Sequence, residues 1–559
     1  MQKNCQTCNK EFEIRKDDLI FYDQVKTAPP EDCPDCRAMR RLAFRNERTF
    51  YKRPCDLCKK DMISLYTTNS PYTVYCHECW WSDKWDPKNF AQDYDPNKTF
   101  FEQYGELQKK VPRLSLMMIN SVRSEYTNGA ADNKDCYLIF AADGNQDCLY
   151  GRLVQRSKNC VDCAFIYDSE LCYECIDTHE SFKCMYSEQC TASSDLLFCY
   201  NMRNSNNCIF CVNGRNISNA ILNVKYSREE FEKKKKELLS SYENIEKAKK
   251  EFTELKNKTI VKYSAQVKCH NITGDHLYNC YDGIRAFDSS SAKNSSYIAD
   301  AEDSIDCMDL NNCYYKPELC YNMMGVLQSS KCKNGAFVFY CNEVEYSENC
   351  HNVTSAIGCN AIRKGQYMIF NKEYSKEDFY KIKEQIDAQM KKDGTYGQFF
   401  PPELAPFGFN ETLGNDYYPL TKKEAEEKGF KWQDQTTGTY GKETIKENEI
   451  PETITEVTED ILNEILVCKD CKKNFRITQS ELDFYKRMNI PLPHKDFECR
   501  HRDRMKKRNP RKLWPRFCMC KLKTHQHGTE KCENEFETSY SPDRPEIVYC
   551  EKCYQQEVS

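Results

Sequence analysis

The chain lacks several features that would assign it early to a common class. It has no run of about 18 apolar residues, so we expect no membrane-spanning helix. Residues 1–5 carry no apolar segment of the kind that directs secretion. The sequence also has no Walker A loop, no dinucleotide-binding glycine fingerprint and no His-Glu-x-x-His pair. We therefore expect a cytoplasmic protein that binds no membrane, has no evident small-molecule substrate and is not an enzyme.

An excess of charge of one sign is absent as well. The 559 residues include 81 Lys and Arg against 86 Asp and Glu, for a net charge of −5. A basic surface for a polyanion must therefore be local. Cysteine, in contrast, is abundant, with 36 residues. Because the cytoplasm is reducing, paired cysteines indicate metal ligands before disulfides.

The cysteines form four blocks, which are related in pairs. They span 5–79, 136–211, 269–359 and 468–553, and none lies between 360 and 467. The two terminal blocks resemble each other, and so do the two central blocks. This internal duplication predicts a repeated centre between two metal-binding ends.

The N-terminal block consists of four Cys-x-x-Cys pairs at intervals typical of zinc sites. Two such pairs supply the four thiolates of a tetrahedral zinc site. We favour sequential pairing over interleaved pairing, and zinc over the alternative of free surface thiols. The predicted ligands are Cys5, Cys8, Cys33, Cys36, Cys55, Cys58, Cys76 and Cys79.

The C-terminal block aligns with the N-terminal block, with one departure in its first site. Asp496 stands where the N-terminal copy has Cys33. Zinc accepts a carboxylate, although this is less usual in structural sites. His494 and His501 lie close enough to replace it, and a metal-free site held by packing is the remaining alternative. The predicted ligands are Cys468, Cys471, Asp496 and Cys499.

The rest of the C-terminal block has more candidate ligands than one site needs. The extra ligands either complete the first site or build a further one. The alternative for the histidines is that they lie in a solvated loop. The whole chain is expected to bind about three to five zinc ions. The additional candidate ligands are Cys518, Cys520, His525, His527, Cys532, Cys550 and Cys553.

The two ends share more than their cysteines. Each has a knuckle, a short strand, a helical stretch and a second ligand pair that opens a basic helix. Residues 1–52 and 464–516 resemble the zinc-ribbon (treble-clef) domain of uncharacterised bacterial proteins, including those of reduced-genome candidate phyla. The resemblance implies no activity, and Asp496 departs from its pattern. It implies zinc binding through Cys5, Cys8, Cys33 and Cys36, and through Cys468, Cys471 and Cys499.

The centre divides into twelve-residue units from residue 134 onwards. Each unit has a short apolar core followed by Asp, Asn, Ser or Gly, which indicates one strand and one turn. Units of fixed length stack into a β-solenoid, here expected with two units per coil. The repeat favours a buried ladder of small residues over metal binding by the central cysteines. Cysteine recurs at 136, 148, 160, 172, 184 and 208.

The predicted fold class is mainly β, with a duplicated β-solenoid-like centre, helical segments and small treble-clef modules at both ends. The acidic stretch before the last module predicts a flexible linker and a mobile module. The predicted segments are an N-terminal zinc module (1–90), a connection (91–133), the first repeat (134–225), a charged amphipathic helix (226–260), the second repeat (261–373), a helix with a Pro/aromatic-rich docking segment (374–432), the acidic linker (433–463) and a C-terminal zinc module (464–559).

Two basic runs suggest the function. Residues 37–53 contain seven Lys or Arg, and residues 500–516 contain nine. Arginines on a metal-stabilised scaffold suit phosphate contacts, so we expect binding of nucleic acid, possibly RNA. The alternative is a protein-interaction scaffold in which the zinc modules hold one partner against the repeats. The predicted contact residues are Arg37, Arg40, Arg41, Arg45, Arg500, Arg502, Arg504 and Arg508.

Overall fold

The computed structural model describes residues 1–313, 317–326, 329–330, 341–435, 437–528 and 530–558. Helix makes up 26% and strand 27% of the chain, in many small sheets, so the fold is mixed rather than mainly β. The prediction overestimated strand because the strands of the first repeat have four residues or fewer, whereas several helices exceed ten. Within the described residues no helix has both the length and the apolar character needed to cross a bilayer.

The N-terminal module, residues 1–90, contains two small hairpins, and a helix follows each of them. The hairpins pair β1 with β2 and β3 with β4. The elements are β1 (Gln2–Asn4), β2 (Glu11–Glu13), α1 (Lys16–Gln24), α2 (Pro34–Leu42), β3 (Tyr51–Pro54), β4 (Asp61–Ser64), β5 (Val74–Tyr75) and α3 (His77–Trp81), with a 3-10 turn at Pro87–Phe90.

A helix and a short strand then lead into the first stack, which we define as residues 118–225. Its strands pair in parallel at an interval of twelve residues, as Phe140 with Arg152 and Arg152 with Ala164. One twelve-residue unit therefore completes one turn, and the prediction of two units per coil is wrong. The elements are α4 (Phe100–Lys110), β6 (Arg113–Leu114), β7 (Met118–Ile119), β8 (Asn128–Ala131), β9 (Phe140–Asp143), β10 (Arg152–Gln155), β11 (Ala164–Tyr167), β12 (Ile176–His179), β13 (Ser194–Leu197), β14 (Asn206–Ile209), β15 (Ser218–Ile221) and β16 (Val224–Lys225).

Each turn of the first stack has four corners, one at every third residue. From Gly129 to Leu222 every third residue has a left-handed backbone, for example Asp132, Asp135 and Leu138. Asp and Asn recur at these corners because they tolerate positive φ better than other residues with a Cβ. Between two corners, one side chain points into the stack, so twelve residues supply four interior positions.

Small side chains fill this narrow interior. The thiols of Cys160 and Cys172 are buried and donate to main-chain carbonyls of their own turn at 3.3 and 3.5 Å. On another side, the N–H of Ser181 donates to Ser169 Oγ at 3.1 Å, and Ser169 N–H donates to Ser157 Oγ at 3.2 Å. The cysteines and serines thus build continuous ladders along the stack. This burial matches the expected role of the central cysteines as core residues.

Two helices cover one side of the first stack before the second stack, which we define as residues 266–373. The expected single helix over 226–260 is interrupted at 239–241. Parts of the predicted repeat 261–373 lie outside the described residues. The elements are α5 (Arg228–Leu238), α6 (Tyr242–Asn257), β17 (Ile260–Lys262), β18 (Gln266–Val267), β19 (His270–Tyr278), β20 (Tyr281–Ser290), β21 (Ala299–Ala301), β22 (Asn311–Cys313), β23 (Met324–Val326), β24 (Ser329–Ser330), β25 (Cys341–Glu345), β26 (Val353–Ile357), β27 (Gly365–Ile369), β28 (Lys372–Glu373) and α7 (Lys376–Lys392).

The second stack is less regular than the first. The pairing of β19 with β20 begins with an interval of eleven residues, His270 with Tyr281, and continues with twelve, Gly274 with Ala286. The change of register requires Gly274, because a Cβ there would lie 1.7 Å from the carbonyl oxygen of Ala286.

The remaining chain returns across the molecule to the C-terminal module, residues 464–559. Residues 433–463 do not form the expected flexible linker, because Ile450, Ile454, Val457 and Ile461 are buried in the core that includes the first stack and α6. The elements are α8 (Leu413–Tyr417), α9 (Lys422–Glu427), β29 (Leu466–Val467), β30 (Asn474–Phe475), α10 (Gln479–Met488), α11 (Phe497–Lys506), β31 (Trp514–Phe517), β32 (Glu535–Thr538), β33 (Ile547–Tyr549) and α12 (Glu551–Val558), with 3-10 turns at Pro402–Leu404, Phe409–Glu411, Glu447–Glu449, Ile454–Glu456 and Glu459–Leu462.

Both modules contact both stacks, and the buried ion pairs that two arginines make with one aspartate are arranged crosswise. The N-terminal module contacts the second stack, where Arg37 and Arg41 both approach Asp309, at 2.8 and 3.5 Å. The C-terminal module contacts the first stack, where Arg500 and Arg504 both approach Asp162, at 3.1 and 2.9 Å. All six side chains are buried. The C-terminal module is therefore held in place rather than mobile.

The first prediction concerns Asp162. Asp162→Asn leaves Arg500 and Arg504 buried without their shared carboxylate, and breaking a buried pair costs about 3–5 kcal/mol. We expect a clearly lower urea midpoint in equilibrium unfolding. Asp168→Asn is the control, because Asp168 pairs with Arg156 at 2.8 Å in an exposed ion pair and its loss should cost less than about 1 kcal/mol. Equal effects of the two variants would contradict the prediction.

The second prediction concerns the interior cysteines. In native protein the cysteines of 136–211 should react with a thiol reagent about a hundredfold more slowly than after unfolding, since access requires a local opening that costs several kcal/mol. Mass spectrometry of alkylated peptides measures this. Rapid and complete labelling of the native stack would show that the cysteines are not buried.

Candidate metal centres

Among the described residues, five groups of side chains are arranged so that they could hold a metal ion. In each group the four ligand atoms lie within 4.8 Å of one another. The groups are Cys5, Cys8, Cys33 and Cys36; Cys55, Cys58, Cys76 and Cys79; Cys468, Cys471, Asp496 and Cys499; Cys518, Cys532, Cys550 and Cys553; and Cys520, His525, His527 and Cys553. The first two pairs of the chain combine, as do the next two, which is the sequential pairing expected. The thiol-rich ligand sets are compatible with zinc.

One half of each of the first three groups is a tight turn. In the first group the N–H of Cys5 donates to the carbonyl of Lys10 at 2.9 Å, and Asn9 N–H returns to the carbonyl of Cys5 at 2.9 Å. The same two bonds recur around Cys55 and around Cys468. The residue that closes the turn has a positive φ in all three cases, at Asn9, Lys59 and Lys472. This turn orients two thiols towards one point.

The other half of each group lies at the start of a helix. Cys33 and Cys76 are the residues that precede α2 and α3. The positive end of a helix stabilises a thiolate. A hydrogen bond from Cys36 lowers the pKa of the Cys33 thiol to about 5. For Cys55, burial opposes ionisation, but backbone N–H groups lower the pKa to about 7. One thiol of each N-terminal group thus favours the thiolate, whereas burial raises the pKa of Cys5 to about 11 and that of Cys79 to about 12.

Asp496 occupies the same position before α11 as Cys33 does before α2. Its Oδ1 accepts the N–H of Cys499 at 2.9 Å, and its Oδ2 accepts from the thiol of Cys471 at 2.7 Å. Burial opposes ionisation, but these bonds lower the pKa of Asp496, so the group is a carboxylate. Aspartate is also one of the best residues to begin a helix. Asp496 can therefore cap the helix and bind a metal at once.

The alternative ligands His494 and His501 lie outside this group. His494 stacks on Tyr242 with 3.6 Å between ring centroids. Burial lowers the pKa of His494, and it lowers that of His501 well below its usual value, so both rings are neutral. Asp496 is thus the fourth candidate ligand of the site.

The structure places most of the predicted phosphate-binding arginines in buried or half-buried ion pairs, whereas Arg502 is exposed. Arg508 contacts Asp177 of the first stack at 3.0 Å and Asp288 of the second stack. Arg40 pairs with Asp32, and Arg45 with Glu47 at 2.7 Å. Arg502 donates to the Cys499 sulfur at 2.8 Å. Together with the four arginines on Asp162 and Asp309, these side chains join parts of the chain to each other. Buried, paired guanidinium groups are not available to phosphates, whereas Arg502 is exposed, so nucleic-acid binding through these residues is not shown.

Sequence reasoning did not identify the acidic partners of these arginines. Asp162 and Asp309 occupy related positions of the two stacks, just as Arg37 and Arg500 do in the two modules. A signal was present, because both modules place arginines four residues apart on one helix, which brings them to one face. A duplicated pair of cations predicts a duplicated acidic partner.

Comparisons with known proteins assign no family. No family model matches the chain, and no curated protein matches it. Five chains of solved structures match. One is described as a putative acetyltransferase from Desulfovibrio desulfuricans G20, with 9% identity and a TM-score of 0.11 over 47% of this chain and 68% of that chain. This likeness is too weak to support an argument about fold or function.

The prediction that the chain is not an enzyme is corrected to an open question. The matching protein is described as an acetyltransferase, a class that the motifs used to exclude catalysis do not cover. The likeness is too weak to conclude on enzyme status, and no reaction follows from it.

The third prediction tests Asp496 as a ligand. Asp496→Ser keeps a residue that begins helices well but removes the carboxylate. We expect the metal content, measured by plasma mass spectrometry, to fall by one ion per chain. Asp470→Ser is the control, because Asp470 lies between Cys468 and Cys471 but is not in the group. Unchanged metal content in Asp496→Ser would show that the site is closed without this carboxylate.

Proposed function

We propose that the chain is a zinc-stabilised scaffold that binds a protein partner along a duplicated β-solenoid formed by the two stacks. The observation that supports this proposal is the use of the arginines. The candidate nucleic-acid contacts are largely buried in ion pairs that connect modules and stacks. In this proposal the metal groups are structural, because they hold in position the helices that carry these arginines.

In the part of the chain that the structure describes, one long side of the first stack is largely exposed. We define this uncovered wall by residues 156–158, 168–170, 180–182, 192–194 and 204–206. In most of these segments the first and the last residue are exposed. It carries Arg156 and Lys158, but also Asp168, Glu170 and Glu180. A surface of balanced charge does not favour a polyanion, which requires a cluster of cations.

The uncovered wall also offers an apolar contact point. Phe182 is 46% exposed at its middle. Repeated turns present side chains at regular intervals, which suits an extended partner. An exposed aromatic side chain amid polar neighbours is a typical anchor of a protein interface. We therefore favour a protein over nucleic acid as the partner.

The fourth prediction tests this surface. Tagged full-length protein should retain a protein partner from a lysate of its source cells after nuclease treatment and washing at high salt. Phe182→Arg should reduce the retained partner at least about tenfold, because losing a buried aromatic anchor typically costs 2 kcal/mol or more.

Ile20→Arg serves as the matched control, because Ile20 is 66% exposed on the N-terminal module, away from the uncovered wall. It should leave the retained partner unchanged. Capture that disappears with nuclease or high salt would overturn the proposal in favour of nucleic acid. Equal capture by the Phe182 variant and the wild type would remove the wall from the interface.

A further inference from the structure

The last two metal groups of the chain share one residue. Cys553 belongs to the group of Cys518, Cys532 and Cys550 and also to the group of Cys520, His525 and His527. All five cysteines are buried. After binding one ion, a thiolate sulfur keeps further lone pairs and can bind a second ion. The surplus ligands of the C-terminal block are therefore gathered on the far side of Cys553 rather than in the group of Asp496.

In the group of Cys520, His525, His527 and Cys553, the ligand atoms already lie close together, as they would around a metal ion. The Cys520 sulfur lies 3.2 Å from Nδ1 of His525 and 3.5 Å from Nε2 of His527. The other nitrogen of His525, Nε2, lies 2.9 Å from the carboxylate of Glu557 on α12. A carboxylate behind a histidine is the usual outer partner of a metal-binding imidazole, because it holds the proton on the far nitrogen. Nδ1 of His525 is thereby left with a lone pair directed at the Cys520 thiol.

We propose that the C-terminal module contains a dinuclear zinc centre in which the Cys553 thiolate bridges the two ions. The inner ion is bound by Cys518, Cys532, Cys550 and Cys553, and the outer ion by Cys520, His525, His527 and Cys553. Five thiolates carry a charge of −5 and two Zn²⁺ ions carry +4, so the centre has a net charge of −1. A separate site with four cysteines carries −2, so the shared ligand reduces the charge to be buried.

The two ions differ in how firmly the chain holds them. The inner ligands adjoin the β31–β32 hairpin and the start of α12. Three of the four outer ligands lie within residues 520–527, where the side chains of 521–524 and 526 are exposed. Because this loop opens at less cost than the hairpin and the helix, the outer ion is released first.

This inference rests on the proposal that the groups bind zinc, and one measurement separates the two. Metal content of the full chain, purified without oxygen, should be five ions per chain. The double variant His525→Ala/His527→Ala should contain four, with the circular dichroism spectrum of the wild type. Gln526→Ala is the control in the same loop and should contain five.

Zero ions in the wild type would overturn both the zinc proposal and this inference. Four ions in the wild type, with no loss in the double variant, would overturn the dinuclear centre alone. A chelator should remove one ion from the wild type before the others, and this early phase should be absent from the double variant.

Cobalt tests the bridge itself. In protein loaded with Co²⁺, two ions joined by one thiolate couple magnetically, so the electron paramagnetic resonance signal of the pair is weakened. His525→Ala/His527→Ala should restore the signal of the isolated inner ion. A wild-type signal equal to the sum of five independent ions would show that Cys553 does not bridge.

Discussion

Each terminal module is held in place by two arginines that share one buried aspartate. Asp162 and Asp309 are fully buried, and each receives guanidinium groups from two positions four residues apart on one helix. Burying such charges is costly unless every partner is present, so the contact forms only when helix and stack are both in place. The crosswise arrangement follows from it. Through these pairs the N-terminal module is connected to the second stack and the C-terminal module to the first, while Glu47–Arg152 and Arg511–Asp288 connect each module to the other stack as well.

The stacks can present these aspartates because of their three-residue geometry. Asp162 and Asp309 both lie at corners with a left-handed backbone, a conformation that Asp adopts at lower cost than most residues. A corner directs its side chain outwards, while the neighbouring interior position carries a small residue such as Cys163. One local rule therefore explains both the cysteines inside and the charged docking points outside. The same narrow interior favours small side chains, so cysteine and serine recur there beside a few aliphatic residues such as Ile166 and Leu196.

Much of this organisation could be predicted from the sequence, because cysteine spacing constrains local geometry. The twelve-residue period and the candidate metal groups at the two ends depend on short-range chemistry, namely turns and tetrahedral ligation. The number of units per coil could not be predicted, because a strand-and-turn unit of twelve residues is compatible with a half turn or a full turn. The contacts that the basic helices make could not be predicted from the sequence either. Arg500 and Arg504 look like a solvated or phosphate-binding face until the fold brings Asp162, more than 300 residues away, against them. The burial of the isoleucines within residues 433–463 could not be predicted for the same reason, since in the sequence they stand between acidic residues and threonines.

The metal groups and the buried ion pairs lie on the same helices, and this links metal binding to the overall structure. Cys36 and Arg37 are adjacent, as are Cys499 and Arg500, so a metal at the helix start fixes the direction in which the arginines leave the helix. An ion bound at that start also compensates the thiolates that the helix dipole attracts. Without the metal, the first turn of α11 would lose its connection to the Cys468 turn, and the two arginines on Asp162 would have to find their partner from a less ordered helix. The free-energy cost of burying Asp162 and the two guanidinium groups would then no longer be offset by a helix that already holds the arginines in position. If the candidate groups bind metal as proposed, metal binding at the ends and assembly at the centre are parts of one folding equilibrium.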